Sequence, residues 1–171
     1  MDSQFDGLTQ LYKMQHLETL GVALCGQART DGSLLGFLYT DVDRMKSVND
    51  ILGSQAGDRL LVKIAQVIKS HVHGGAVVGR VGGDEFLVIT PLKSEEELTA
   101  LAEAIRAEAK TVIVMGGSHD EVPSDPVTLT VGLSCLPRHG TDFRALLPAA
   151  EEASNGGKEA GRDRVIWGEK P

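Results

Sequence analysis

Acidic side chains suited to metal binding and proton transfer occur in two short segments, each beside a predicted strand. Asp41 and Asp43 end a mostly apolar run, and Asp84 and Glu85 follow a pair of glycines between two short β runs. If the two strands are neighbours, Asp41 and Asp84 would converge at one edge of a sheet. Two carboxylates with a backbone carbonyl are hard oxygen ligands of the kind that Mg²⁺ prefers. The pattern therefore predicts a magnesium site.

Each segment alone also has a plain structural explanation. An Asp-x-Asp is commonly a solvated turn. A Gly-Gly-Asp-Glu sequence is commonly a hairpin tip, where glycine supplies positive φ and the acids face water. The two segments bracket an amphipathic helix, and this arrangement favours a functional site more than either segment does by itself.

Length, composition and charge indicate one globular domain of a soluble class. The chain has 171 residues, of which 42% are hydrophobic, and its net charge is −7. The negative charge argues against a broad nucleic-acid or anionic-membrane surface, but not against a small phosphate ligand held by a metal and a few local bases. We expect no membrane span and no signal peptide. Cys25 and Cys135 follow no metal-ligand spacing and are expected to be plain thiols.

Helices and strands alternate along the chain and determine where these acids lie. Hydrophobic periodicity and turn residues define the boundaries. The predicted elements are a helix over 9–29, a buried strand over 34–42, a short helix over 43–51 ended by Gly53, an amphipathic helix over 55–72, a hairpin of strands 76–81 and 86–90, a helix starting at Ser94 with Glu97 completing a capping box, a polar loop over 115–126, a strand over 127–133, a helix with Asp142 as N-cap, and a strand over 164–167. This order predicts one α/β sandwich, with a central, mostly antiparallel sheet and helices on its faces.

The motifs resemble those of the GGDEF (diguanylate cyclase) family over nearly the whole chain. The segment 80–86 carries the GGDEF signature, and the segment 41–58 is similar to the family's Asp-x-Asp-x-Phe-Lys-x-x-Asn-Asp…Gly-x-x-x-Gly-Asp. Asp6-x-Leu8-Thr9 looks like the opening motif, and Lys158-x-x-Gly161-Arg162 looks like the closing block. The resemblance implies the nucleotidyl-cyclase-like, ferredoxin-like fold of that family, spanning residues 1–171 as a single domain.

The resemblance also implies a role for each matching residue. Metal binding would fall to Asp41, to the Val42 carbonyl and to Asp84, with Mg²⁺ as the cofactor and Mn²⁺ as a possible substitute. Glu85 would be the general base beside the ribose hydroxyl. The residues implied in GTP binding are Asn49 and Asp58 at the guanine edge, Gly82 and Gly83 where the backbone approaches the nucleotide, and Lys46, Lys158 and Arg162 at the phosphates. Taken alone, the lysines read equally well as surface residues, and Asn49 and Asp58 as helix caps.

The reaction that the resemblance implies joins two GTP molecules into cyclic di-GMP and releases pyrophosphate. One domain would hold one GTP, so the productive state is expected to be a two-fold symmetric homodimer. The chain is expected to be a piece of a larger signalling protein with sensory, receiver or EAL domains attached, either cytoplasmic or the cytosolic part of a membrane-anchored protein. No nucleic-acid polymer and no membrane contact are expected for this domain.

Several positions depart from the family pattern. The Arg-x-x-Asp of the family's inhibitory product site is replaced by His73 and Ala76, which predicts no product feedback there. The last helix contains Pro148, Gly156 and Gly157, residues that disfavour helix interiors. We therefore expect this helix to be frayed or bent and catalysis to be weak. Two rival interpretations stay open: a non-catalytic GTP-sensing domain controlling an attached phosphodiesterase, and a mononucleotide cyclase of related fold.

Overall fold

The computed structural model describes residues 3–116 and 125–171. Its elements are β1 (Tyr12–Lys13), α1 (Met14–Asp31), β2 (Leu34–Val42), α2 (Met45–Leu52), α3 (Ser54–His71), β3 (Val77–Arg80), β4 (Glu85–Leu92), α4 (Glu95–Ala109), β5 (Leu129–Leu136), α5 (Phe143–Glu159) and β6 (Arg164–Trp167). The predicted order of elements from the first buried strand onward is confirmed. Most of the predicted 115–126 loop lies outside the described residues.

Six strands form one sheet in the order β1-β3-β4-β2-β5-β6. The inner pairings β3–β4, β4–β2 and β2–β5 are antiparallel, whereas the edge strands β1 and β6 pair parallel to their neighbours. The inner strands with α3 and α4 form the βαββαβ arrangement of ferredoxin-like folds. The predicted mostly antiparallel α/β sandwich is therefore confirmed.

The sheet separates two apolar clusters, one on each face. Residues of α3 and α4, including Ile64 and Ile105, pack with Val88 on one face. Residues of α1 and α5, including Leu17 and Leu146, pack with Ile89 on the other. Adjacent strand residues point to opposite faces, so β4 supplies both cores and is buried on both sides. Both cysteines are free and buried, as expected of plain thiols.

The first predicted helix is wrong at its start. Residues 9–13 are not helical: the Asp6 carboxylate accepts hydrogen bonds from the backbone N–H groups of Leu8 (3.2 Å) and Thr9 (2.7 Å) and closes a single turn, which does not continue as a helix. Gln10 then has a positive φ of 58°, and Tyr12 pairs with Gly79 of β3. The chain therefore enters the domain as an edge strand before α1 begins.

The last helix is also better formed than its composition predicts. α5 is continuous over 17 residues with Pro148 inside it, and the Asp142 carboxylate caps its start by accepting from Ala145 N–H at 3.0 Å. A Cβ on Gly157 would lie 2.6 Å from Thr130 Cγ2 of β5, so this glycine lets the helix lie close to the sheet. Packing against the sheet thus compensates for low helix propensity. No helix in the described part of the chain is long and apolar enough to cross a bilayer.

Candidate active site

The two acidic segments meet at one edge of the sheet. Asp41 near the end of β2 is the cross-strand partner of Glu85 at the start of β4. Val42 N–H donates to the Asp84 carbonyl at 3.0 Å, which fixes the hairpin tip against the end of β2. Asp41 is thus brought to Asp84 and Glu85, which lie more than forty residues later in sequence, as the assumption of neighbouring strands requires.

Asp41 is the most enclosed of these three acids. Its side chain is almost fully buried, and its carboxylate accepts a short hydrogen bond from Lys158 Nζ of α5. Burial raises the pKa of Asp41 to about 6; the neighbouring Asp84 and Glu85 also raise it, while Lys158 opposes the shift. Because burial makes the ionised form of Asp41 costly, a cation bound beside it would stabilise that form.

The oxygen ligands at this edge suit a metal whose remaining ligands come from water or substrate. Among the described residues, no three His, Cys, Asp or Glu side chains form a group that could hold an ion alone. Asp41 and Asp84 with the Val42 carbonyl are oxygen donors only. Mg²⁺ usually combines one or two carboxylates with waters and substrate phosphates, so the residues present fit it.

The glycines of the hairpin tip have different surroundings. A Cβ on Gly82 would lie 2.0 Å from Glu85 Oε2, whereas nothing lies within 4 Å of a Cβ on Gly83. Gly82 therefore leaves room for the Glu85 carboxylate to fold across the turn, and Gly83 leaves an open backbone surface. Burial and then the Glu85 carboxylate raise the pKa of Tyr39, so this neighbouring hydroxyl keeps its proton.

Arg80 connects the hairpin tip to the amino-terminal turn. Its guanidinium donates to the Gly83 carbonyl at 3.1 and 2.6 Å, and its Nη1 bonds the Asp6 carboxylate at 3.2 Å. Asp6 also accepts from the Thr9 hydroxyl at 2.7 Å. The opening Asp-x-Leu-Thr motif thereby holds the GGDEF turn through one arginine, a role that its sequence position alone did not indicate.

Replacing Arg80 by alanine should lower the free energy of unfolding by about 1.5–3 kcal/mol, because a partly buried charged donor leaves both Asp6 and Gly83 without its hydrogen bonds. Urea unfolding followed by circular dichroism measures the change. Arg29→Ala, at the exposed end of α1, is the matched control. Equal stability of the two variants would contradict this role.

The two residues predicted at the guanine edge lie at the corner between α2 and α3. Asn49 is exposed on α2, and Asp58 is exposed in the first turns of α3. Buried Gly57 lies beside them: a Cβ there would come within 1.8 Å of Asn49 Oδ1. The glycine thus makes room for the Asn49 side chain next to Asp58. Lys46 is exposed in the first turn of α2.

The predicted phosphate residues of the closing block lie at and after the end of α5. Lys158 reaches Asp41, as described above. Arg162 is exposed and has a positive φ of 64°, with its N–H donating to the Gly157 carbonyl at 2.9 Å. Arg162 lines one cleft together with Arg44 and Ser47 from the start of α2. The structure therefore places Arg162 across this cleft from the start of α2, whereas Lys46 does not line the cleft.

Asp43, the second acid of the Asp-x-Asp, has a different environment from Asp41. It is 5% exposed, and its carboxylate accepts hydrogen bonds from Thr130 Oγ1 (2.6 Å), Thr128 Oγ1 (2.8 Å) and Asp163 N–H (3.1 Å). From the sequence, no separate role was expected for Asp43. The available signal was the pair of threonines two residues apart, which a strand places on one face.

Comparison with known proteins gives this fold and site a family. A family model described as "Diguanylate cyclase, GGDEF domain" matches residues 3–164. The chain belongs to this GGDEF domain family. In structure, it is similar to the GGDEF domain of TpbB (YfiN) of Pseudomonas aeruginosa, with a TM-score of 0.89 and 31% identity over 96% of this chain and 94% of that one. The GGDEF domain of DgcB of Caulobacter crescentus, in complex with c-di-GMP, gives a TM-score of 0.90 and 26% identity over 98% and 94% of the two chains.

Curated relatives are longer proteins, and different relatives are named for different activities. Diguanylate cyclase DosC of Escherichia coli strain K12 is 31% identical over 95% of this chain, which spans 35% of that protein. Cyclic di-GMP phosphodiesterase NbdA of Pseudomonas aeruginosa is 30% identical over 95% of this chain, which spans 20% of it. The domain is therefore shared by proteins named for the synthesis and for the breakdown of the same molecule.

Proposed function

We propose that this chain is a diguanylate cyclase domain that condenses two GTP into cyclic di-GMP and two pyrophosphates. The observation that carries the proposal is the cross-strand pair of Asp41 and Glu85, with Asp84 beside them at one sheet edge. Membership of the family, and the similarity to named diguanylate cyclases, support the same reaction.

Asp41, Asp84 and the Val42 carbonyl would hold Mg²⁺, or Mn²⁺ in its place. A divalent cation there supplies charge that stabilises the phosphoryl oxygens of the transition state. Lys158 would exchange Asp41 for a phosphate oxygen when nucleotide enters, because a phosphate oxygen is an anionic partner like the Asp41 carboxylate that Lys158 contacts now. Lys46 and Arg162 would complete the cationic side of the phosphate site.

Glu85 would accept the proton from the 3′-hydroxyl of one GTP as that oxygen attacks the α-phosphorus of the other. One P–O bond forms, the bond to the β-phosphate oxygen breaks, and pyrophosphate leaves. A second attack in the opposite direction closes the ring. Each chain offers one such site, so we propose a symmetric dimer that places two sites face to face.

Guanine would be read at the α2–α3 corner. The Asp58 carboxylate accepts from N1–H and N2–H₂, and the Asn49 amide supplies both a donor and an acceptor. Adenine lacks this pair of adjacent donors, so the corner favours guanine. We propose that the reaction takes place in the cytosol, where GTP is supplied, and that attached sensory, receiver or EAL domains regulate it.

Incubation with GTP and Mg²⁺, followed by nucleotide chromatography, tests the proposal. Cyclic di-GMP from the parent, and none from Asp84→Ala, is the expected result. GTP binding without any product, at protein concentrations high enough to force dimerisation, would overturn the proposed catalytic activity and indicate a GTP-sensing regulatory domain.

Replacing Gly57 by alanine should weaken GTP binding about tenfold or more and change stability much less. The new methyl group would displace Asn49 Oδ1 from its position, and losing its guanine hydrogen bonds costs about 1–3 kcal/mol. For stability, the higher helix propensity of alanine opposes the crowding of Met45 Cε, which would lie 2.9 Å from the new methyl group. Calorimetric titration with GTP and thermal unfolding measure the two effects.

Gly26→Ala is the matched control, since Gly26 lies within α1 and a Cβ there has nothing within 4 Å. It should gain the same helix propensity with GTP affinity unchanged. Unchanged GTP affinity in Gly57→Ala would contradict the placement of guanine beside Asn49.

A further inference from the structure

The loop between α5 and β6 has a backbone conformation that needs external support. Arg162 and Asp163 have positive φ values of 64° and 45°, directly after Gly161 at 117°. Left-handed backbone is unfavourable for residues with a Cβ, and consecutive examples persist only where surrounding contacts determine them. The groups that contact this loop therefore set the position of Arg162.

Asp43 supports the loop from the sheet. Its carboxylate accepts from the Asp163 N–H at 3.1 Å and from the hydroxyls of Thr128 and Thr130 on the adjacent segment. Three donors converge on one buried carboxylate, so its lone pairs are largely committed within the protein. Asp43 is therefore suited to fixing the loop and poorly suited to binding a cation.

Helix α4 supports the loop from the opposite side. Arg106 Nη1 bonds Asp163 Oδ1 at 2.6 Å and the Asp163 carbonyl at 3.3 Å, and Lys110 Nζ bonds Asp163 Oδ2 at 2.6 Å. Burial tends to raise the pKa of Asp163, but the hydrogen bonds from Lys110 and Arg106 outweigh it and lower the pKa. Asp163 thus stays ionised and paired on both carboxylate oxygens.

We propose that Asp43, Arg106 and Lys110 are positioning residues that hold Arg162 toward the triphosphate by fixing Asp163. The inference rests on the proposed function, because the ligand of Arg162 is taken to be a GTP phosphate. None of the three touches substrate in this scheme. Helix α4 thereby becomes a structural determinant of GTP affinity, although it contributes no ligand.

A double-mutant cycle with Arg106→Met and Arg162→Ala tests this inference. Arg106→Met should raise the Kd and the KM for GTP about five- to tenfold, change kcat less than twofold, and have less than a twofold effect on Kd when Arg162 is already alanine. Glu103→Gln is the matched control: Glu103 pairs with Arg106 at 2.8 Å, and its replacement leaves the Asp163 contacts in place. It should leave both constants unchanged.

Hydrogen exchange of the Arg162 and Asp163 amides gives a readout that needs no nucleotide. Exchange should be faster in Arg106→Met than in the parent and in Glu103→Gln, with Asp43→Asn as a second variant from the sheet side. Unchanged exchange in Arg106→Met, or an equal effect of Arg106→Met on Kd with and without Arg162, would overturn this inference alone. Absence of GTP binding by the parent would overturn the proposed function with it.

Discussion

Replacing Asp41 by asparagine should lower the rate of cyclic di-GMP formation by about 10³-fold. The two side chains have nearly the same shape, so the change removes a charge and little else. Asp41 is buried beside Asp84 and Glu85, and its negative charge would bind a cation at this edge of the sheet. Its loss should abolish Mg²⁺-dependent GTP binding as well as lower turnover.

Turnover is measured as pyrophosphate release and GTP binding by calorimetry, each with and without Mg²⁺. Asp31→Asn is the matched control, because Asp31 ends α1 at an exposed position and contacts only Gln27 among the bonds described. The control should keep the parent rate. An Asp41→Asn protein that retains a tenth or more of the parent activity would show that this carboxylate is not a metal ligand.

Replacing Glu85 by glutamine should lower kcat about 10²–10⁴-fold while GTP affinity changes less than about threefold. Glutamine keeps the side-chain length that folds across Gly82, but it cannot accept a proton. Substitution of the two acids of this cross-strand pair should therefore impair different steps. Asp41→Asn should lose binding, and Glu85→Gln should bind GTP without reacting.

Single-turnover measurements at saturating GTP separate these outcomes, with Glu159→Gln at the exposed end of α5 as the control. A kcat of Glu85→Gln close to that of the parent would exclude Glu85 as the general base. A loss of GTP affinity as large as that of Asp41→Asn would instead indicate that Glu85 is a metal ligand.

The fold was predictable where the information is local. The apolar run of β2, the glycines between β3 and β4 and the stripe of α3 each specify their element through neighbours a few residues away. The start of α1 was predicted wrongly because Gln10 has a left-handed backbone conformation and Tyr12 pairs with Gly79 of β3, a long-range contact that local periodicity does not show. α5 was predicted to be less well formed than it is. Gly157 lowers the helix propensity, but a larger residue there would clash with Thr130 of β5, and this packing is not part of a propensity scale.

The site was predictable to the extent that motifs mark its residues. Asp41, Asp84 and Glu85 could be expected together once β2 and β4 were assumed to be neighbours. The supporting contacts could not be predicted, since Arg80 bonds Asp6 across 74 residues of sequence and Asp43 bonds Asp163 across 120. Such pairs depend on strand order, and no local pattern encodes it.

The central claim is that a divalent cation is held between Asp41 and Asp84 with a GTP phosphate. A crystal grown with Mn²⁺ and a non-reactive GTP analogue tests it directly, because manganese can be located by its anomalous scattering. We predict a manganese peak at bonding distance from carboxylate oxygens of Asp41 and Asp84, with Lys158 moved from Asp41 to a phosphate. Nucleotide bound elsewhere, or bound with its metal on other residues while Lys158 stays on Asp41, would contradict the account.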